Sequence, residues 1–255
     1  MCIERLKMTQ TIFTIKSNVK IARDTYKMVL TGDTADITRP GQFVNILLEG
    51  KFLRRPISVC DVNGDELTLI YKVVGEGTEQ MAGYGEGVKL DILTGLGNGY
   101  DTSLTGDEPV LVGGGVGVPP LYLLAKTLIA EGKKVKVVCG FRTADDAILC
   151  DEFKALGAEL TVATEDGSMG IKGFVTNAMQ EMTYTHVCTC GPEPMLKAVW
   201  RTTPEGIDGQ FSFEERMSCG FGACMGCSCK TITGYKRICK DGPILMKNDI
   251  LWEAK

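Results

Sequence analysis

Four cysteines near the carboxyl end have the spacing most able to do chemistry. Cys219, Cys224 and Cys227 fall in the run Cys219-Gly-Phe-Gly-Ala-Cys224-Met-Gly-Cys227, and Cys239 follows after eleven intervening residues. A C-x4-C-x2-C run with a later fourth cysteine is the ligand spacing of plant-type [2Fe–2S] loops. Glycines between the ligands let the backbone fold tightly around a cluster and aim N–H groups at its sulfurs. The rival ligand is zinc. Zinc ribbons present two short C-x2-C knuckles, and only Cys224 and Cys227 fit that spacing here. The four-residue gap before Cys224 therefore favours iron–sulfur. Cys229 is surplus: only Ser228 separates it from Cys227, too little for both to ligate, and it is expected behind the loop. A [2Fe–2S] cluster moves one electron at a time, so the expected chemistry is electron transfer.

Three further stretches are candidates for binding. Gly113-Gly114-Gly115-Val116-Gly117-Val118-Pro119-Pro120 follows a strand-like run and opens a helix-like one. At Gly114, Gly115 and Gly117 a pyrophosphate could approach the backbone and meet the unpaired N–H groups of a helix start. The stretch is not a strict G-x-G-x-x-G, because Pro120 takes the third glycine's place, and a tight turn with no ligand fits equally well. In Arg55-Pro56-Ile57-Ser58, an arginine facing a diphosphate and a serine beside a flavin would form a flavin site. By itself the same run reads as a strand with solvated basic residues, and Ile70-Tyr71-Lys72 and Gly77-Thr78 are unremarkable alone. Cys190 closes a strand before Gly191-Pro192, at the carboxyl end where parallel sheets bind ligands. It reads either as a neighbour of a nicotinamide ring or as a buried thiol. Arg142 and Asp145 both follow the second strand of this half. The arginine would welcome a 2′-phosphate and the aspartate would repel it, so NAD and NADP both stay open. His186 is the only histidine, which excludes a Rieske ligand pair and leaves it a structural strand residue. No catalytic triad is available, and hydride transfer needs none, only rings held in contact.

The elements that must position these groups come in two rhythms. The first hundred or so residues hold short strand-like runs, Val44–Leu48 and Leu67–Val74 the clearest. Asn63-Gly64 signals a hairpin, and helical periodicity appears only near Thr78 to Tyr84. This half reads as an antiparallel barrel. From Glu108 strands and helices alternate: strands at Val110–Val112, Val135–Cys139, Leu160–Ala163 and His186–Cys190, helices near Pro119–Glu131, Ala147–Leu156, Phe174–Met182 and Pro194–Trp200. That alternation predicts a parallel sheet with crossover helices. From Glu205 the chain is rich in glycine and cysteine and weakly periodic. The expected fold class is an antiparallel β-barrel over 1–105, an α/β parallel-sheet nucleotide-binding domain over 106–204 and a small cluster module over 205–255.

Composition narrows the class. The 255 residues are 44% hydrophobic and 24% charged, as in ordinary globular proteins. A net charge of −4 and the lack of a basic run argue against a nucleic-acid surface. The opening Met-Cys-Ile-Glu-Arg-Leu-Lys lacks the apolar core of a signal peptide, and Pro109–Ala125 is too broken by glycine and proline to span a membrane. Eleven cysteines, an odd count in a long, core-rich chain, point to a reducing cytosol rather than a disulfide scaffold. Four of them are clustered, and Cys2, Cys60, Cys139, Cys150, Cys188, Cys190 and Cys229 are scattered. Of these, Cys139, Cys188 and Cys190 lie in apolar runs as small core residues.

Taken in order, Arg55-Pro-Ile-Ser58, the Gly113–Pro120 turn and the run Cys190-Gly-Pro-Glu-Pro-Met-Leu-Lys197 resemble the ferredoxin–NADP reductase superfamily over nearly the whole chain. The tail, Glu215-Arg-Met-Ser-Cys219 through Cys229 with Cys239-Lys-Asp-Gly-Pro-Ile-Leu245, is similar to the electron-transfer subunits of NAD-dependent dihydroorotate dehydrogenase B. The resemblance implies FAD held by Arg55, Pro56, Ile57, Ser58, Ile70, Tyr71, Lys72, Gly77 and Thr78. It also implies a [2Fe–2S] cluster on Cys219, Cys224, Cys227 and Cys239, with NAD(H) as co-substrate. A partner catalytic subunit carrying FMN would oxidise dihydroorotate to orotate in pyrimidine synthesis, two such chains joining two partners in a cytoplasmic heterotetramer. Two alternatives remain. One is the small subunit of an NAD(P)H–ferredoxin or sulfide oxidoreductase, whose relatives often carry aspartate where Cys219 stands. The other is a zinc-stabilised, non-enzymatic binding module.

Overall fold

Alternating apolar residues and glycine turns close the amino-terminal half on itself. In the computed structural model, which describes residues 8–252, six strands form a closed antiparallel barrel. Cys2 and the Met1–Lys7 stretch lie outside the described residues. The strands are β1 (Thr9–Ala22), β2 (Thr25–Thr31), β3 (Phe43–Ile46), β4 (Arg55–Asn63), β5 (Glu66–Lys72) and β6 (Lys89–Leu96), in the order β1-β2-β5-β4-β3-β6. The expected hairpin joins β4 to β5, where Asn63 pairs with Glu66 and Gly64 takes φ +61°, which glycine adopts without steric cost. Phe13, Met28, Leu30, Val44, Ile46, Leu67 and Leu69 fill the barrel. The short helix α1 (Glu76–Ala82) follows β5.

The second half is the expected α/β layer. Strands β7 (Pro109–Gly114), β8 (Lys136–Phe141), β9 (Glu159–Thr164), β10 (Ile171–Lys172) and β11 (His186–Cys190) run parallel, crossed by α2 (Pro120–Ala130), α3 (Cys150–Ala155), α4 (Val175–Met179) and α5 (Glu193–Thr202). Helix α3 is shorter than periodicity predicts. A 3-10 turn at Ala144–Asp146 precedes the expected Ala147–Leu156 helix, and a left-handed Leu149 (φ 61°) interrupts its first turn.

The sheet does not stop at β11. It continues through β12 (Gly209–Ser212), parallel to β11, and ends on an antiparallel strand from the tail, β15 (Ile244–Met246), giving the order β10-β9-β8-β7-β11-β12-β15. Between β12 and this last strand the chain forms the cysteine loop and a hairpin of β13 (Ser228–Thr231) and β14 (Gly234–Arg237). A core of Phe43, Leu93, Leu96, Val112, Phe211, Phe213, Cys227, Ile238 and Cys239 joins barrel, sheet and loop. Among the described residues no helix is long and apolar enough to cross a membrane.

Candidate cofactor and cluster sites

The cysteine loop is held by directed contacts on several sides. The Ala223 and Cys224 N–H groups donate to the Cys219 sulfur at 3.3 and 3.5 Å, the Gly226 N–H to Cys224 at 3.4 Å and the Cys239 N–H to Cys227 at 3.4 Å. Burial opposes ionisation of Cys219, but N–H groups of Cys224, Phe221 and Ala223 outweigh it and bring the thiol down to about 6. A thiol already inclined to lose its proton suits a metal ligand. Burial and a hydrogen bond with Cys227 push Cys239 up.

Backbone hydrogen bonds link the four cysteines as two pairs, the Cys224 N–H donating to the Cys219 sulfur and the Cys239 N–H to the Cys227 sulfur. Among the described residues no three metal-ligating side chains converge on a single point. Two pairs suit a two-iron cluster, in which each iron takes two thiolates. Cys229 lies apart in β13, its thiol donating to the Lys230 carbonyl at 3.7 Å.

Arg237, at the end of β14, braces the loop. Its Nη1 donates to the Gly222 carbonyl at 2.9 Å, while Nε and Nη2 grip both carboxylate oxygens of Asp241 at 3.0 and 3.3 Å. From the barrel side, Asn45 Nδ2 donates to the Cys219 carbonyl at 3.2 Å. Asn98 ties the tail beyond the fourth cysteine, donating to the Ile244 carbonyl at 2.8 Å and accepting the Ile244 N–H at 3.0 Å. Sequence reasoning missed Asn45, Asn98 and Arg237. The one signal available was a polar residue at position 45 inside the apolar run Phe43–Leu48.

The residues expected to hold a flavin gather on strands β4 and β5 and the start of α1. Arg55 opens β4 and lies so close over Gly77 that any Cβ there would strike its guanidinium. The Arg55 Nη1 also donates to the Leu53 carbonyl at 2.6 Å. Pro56 and Ser58 pair across from Asn45 and Phe43, which places them on the outer barrel face, while Ile57 turns inward. Thr78 Oγ1 accepts the Val74 N–H at 2.9 Å and donates to the Gly75 carbonyl, fixing the turn before the helix. Ile70 packs against the α/β core. Tyr71 is buried against Tyr26, donates to Asn18 Oδ1 at 3.0 Å and is pushed up to about 12 by burial, so only its backbone is open to a ligand. Phe52 (99% exposed) and Val74 (80%) stand three residues before Arg55 and Gly77, apolar surface of the kind a ligand covers.

Lys72 also faces the second site, a cavity of about 520 Å³ at the carboxyl ends of β7, β8 and β9. Gly114 and Gly115 form one wall, with Gly140, Phe141, Phe174, Pro192 and Met195 among the others. Gly115 has φ +53° with open space where a Cβ would point, so the turn is shaped for close approach of a ligand. Gly117 serves a different purpose: a Cβ there would strike the Cys190 carbonyl, so it packs the turn onto β11.

Cys190 is not in the cavity wall. It is 1% exposed, its thiol raised by burial, which fits the buried-thiol alternative. The charged pair expected after the second strand is also corrected. Asp145 turns away to bond Arg23 at 3.1 Å, and it is Asp146, with Arg142 and Glu165, that lines the cavity. His186 is buried and 3.3 Å from the Gln210 amide, a structural strand residue as expected.

A closed antiparallel barrel, a cavity at the carboxyl ends of a parallel sheet and a four-cysteine loop packed against barrel and sheet are the parts of an NAD-linked flavin and iron–sulfur oxidoreductase subunit. Family models agree part by part: residues 111–201 match an oxidoreductase NAD-binding domain, and residues 214–251 match the iron-sulfur cluster binding domain of dihydroorotate dehydrogenase B. The chain belongs to the family of electron transfer subunits of dihydroorotate dehydrogenase B (NAD(+)). It is 45% identical to such a subunit from Fusobacterium nucleatum over 93% of this chain and 96% of that one. With the subunit from Bacillus pumilus the identity is 41%, over 95% and 98%. A solved NADH-dependent reduced ferredoxin–NADP oxidoreductase, described in connection with flavin-based electron bifurcation, superposes with a TM-score of 0.85 at 33% identity, covering 94% of this chain and 90% of that one.

Proposed function

We propose that this chain receives electrons from the FMN of a dihydroorotate dehydrogenase catalytic subunit and delivers them to NAD+, so that dihydroorotate becomes orotate in pyrimidine synthesis. When bound, a [2Fe–2S] cluster and FAD would join one-electron transfer to the two-electron chemistry of nicotinamide. The observation that carries this reading is the contact of Asn45 with the Cys219 carbonyl, which sets the cysteine loop on the same barrel face as Pro56 and Ser58. Adjacent strands lie about 4.8 Å apart, so the loop and the flavin residues are near neighbours.

The roles of the chain's own residues follow from the geometry. Cys219, Cys224, Cys227 and Cys239 would hold the cluster, with loop N–H groups offsetting thiolate charge. Arg55 would meet the FAD diphosphate, Pro56, Ser58 and the Ile57 backbone would back its ring, and Ile70, the Tyr71 backbone, Lys72, Gly77 and Thr78 would stand around it. Gly114 and Gly115 would let the NAD pyrophosphate approach the start of α2, with Gly117 and Cys190 packing that turn from behind. We assign 1–105 to FAD, 106–204 to NAD and 205–255 to the cluster, and infer a cytoplasmic assembly of two such chains with two catalytic subunits. The ten described cysteines, all free, support a reducing compartment.

The test is NADH formation from dihydroorotate and NAD+ by the FMN-bearing catalytic subunit, with and without this chain. NADH only when both are present supports the reading. The likeness to a ferredoxin–NADP oxidoreductase favours one second reading, electron exchange with ferredoxin or a sulfur compound. A chain bleached by NADH that yet fails to couple dihydroorotate oxidation would shift the assignment there.

A further inference from the structure

Strand β4 carries the proposed flavin run at its start and a break in its pairing just beyond. Val59 pairs with Leu69 and Asp61 with Thr68, so Cys60 is an extra residue on the β4 side, a β-bulge. A bulge re-aims the side chains beside it. Val59 and Val62 pack with the barrel core, while Cys60 and Asp61 between them both meet α2, the helix that follows the glycine turn.

Cys60 is 1% exposed, in the core that holds Leu121, Leu124 and Leu128 of α2. Asp61 Oδ1 accepts the Lys126 Nζ at 2.8 Å, and the same ammonium donates to the Val62 carbonyl at 3.3 Å. The Val62 N–H also donates to Asp61 Oδ1, at 2.9 Å, which fixes the carboxylate before the lysine arrives. Leu123, on the same helix, packs against the barrel core. The Lys126 and Asp61 side chains are 38% and 21% exposed, so salt screens them less than a pair in open water. Among the described residues this is the one ion pair between α2 and the barrel. It stands close to both sites. Asp61 is three residues past Ser58, about 10 Å along a strand. Lys126 is six residues past Pro120, about 9 Å along the helix that the glycine turn opens.

We propose that Asp61 and Lys126 are a positioning pair: with the bulge at Cys60 they lock α2 against the flavin strand, and so set how closely a nicotinamide held at the glycine turn meets a flavin held on β4. This rests on the flavin and nucleotide assignments above. Hydride transfer needs the two rings in near contact, and a misplacement of about 1 Å can cost about a hundredfold in rate. Neither residue lines the cavity or belongs to the flavin run, so the affinity for each ligand is set elsewhere.

The experiment is anaerobic stopped-flow reduction of the FAD-loaded holoprotein by NADH, in which one hydride passes from NADH to FAD and NAD+ is left. The limiting rate at saturating NADH is read beside the NADH dissociation constant, the FAD affinity and the charge-transfer band of nicotinamide against flavin. Lys126→Met should lower the limiting rate about fivefold or more and weaken that band, with both affinities within about twofold of wild type. Asp61→Asn keeps the size and the bond to the Val62 N–H but not the charge. It should lower the rate about threefold, and it carries the test if Lys126→Met folds poorly. The double variant should be no slower than the slower single one, because the two side chains act as a unit. Limiting rates unchanged in the variants overturn the proposal, as does a fall in rate matched by an equal fall in either affinity. A wild-type protein whose flavin NADH fails to bleach overturns the flavin reading instead.

Discussion

Cys219 shows how much chemistry a few backbone N–H groups can set. Bonds from the loop amides bring its thiol down against the opposing effect of burial, while Cys239, buried beside Cys227, is pushed the other way. Such a set should be intolerant of losing a single sulfur. Cys224→Ser is expected to abolish the visible bands of the cluster and leave those of the flavin, since Arg55, Ser58 and Thr78 lie outside the loop. Loss of both sets of bands would refute separate sites. His186 offers a cleaner reading of pH, being the only histidine. Burial lowers its pKa below the ordinary 6.5, with nearby Asp208 opposing and Lys133 adding to the shift. Below 6.5 the unfolded chain therefore takes up a proton that the folded chain refuses, and folding loses stability as pH falls toward the folded value. Urea titrations from pH 7 to 5 should show this fall, and His186→Gln should flatten it.

At the scale of elements, the hairpin β13–β14 earns its place through Arg237. One guanidinium grips the Asp241 carboxylate and the Gly222 carbonyl together, tying the turn between the first two cysteines to the chain just past the fourth. Arg237→Leu is expected to reduce iron content per chain by half or more while FAD content stays near the wild-type level. Equal loss of both would show that the residue stabilises the whole chain instead. Elements were legible in the sequence wherever one physical cause dominated. Alternating apolar residues marked β5, Asn63-Gly64 marked its hairpin, and strand–helix alternation marked the parallel layer. Reading failed where causes competed. Register shifts between Ile15 and Ser17 and between Lys20 and Ala22 break the alternation that would have announced β1. Leu149 turns left-handed where periodicity asked for helix. The cysteine spacing was readable because ligands must recur at fixed offsets. Asn45 was not, because its partner Cys219 is 174 residues away, nor were Asp146 and Phe174, because the cavity they line is formed by strands distant in sequence.

One hydrophobic core, with Phe43 of the barrel, Phe213, Cys227 and Cys239 among its members, joins the barrel, the sheet and the cysteine loop. Among the described residues the cavity's acids and bases, Lys72, Arg142, Asp146 and Glu165, stand at the proposed nucleotide cleft, and dihydroorotate chemistry is assigned to the catalytic subunit. The isolated chain, loaded with cofactors, should therefore give no NADH from dihydroorotate and NAD+ above the no-enzyme rate, and activity without the catalytic subunit would sink this claim. Strand β15 has a further consequence. It comes from beyond the fourth cysteine, yet it pairs with β12 through Gln210, Phe211 and Ser212. A truncation after Ser212 would therefore do more than remove a redox centre. It would strip β12 of its outer neighbour, leaving unpaired amides and a bare Phe211 along an open sheet edge, the template from which chains aggregate. Such a shortened protein should precipitate or self-associate in sedimentation experiments, so the redox tail also serves as the cover that keeps its own reductase monodisperse.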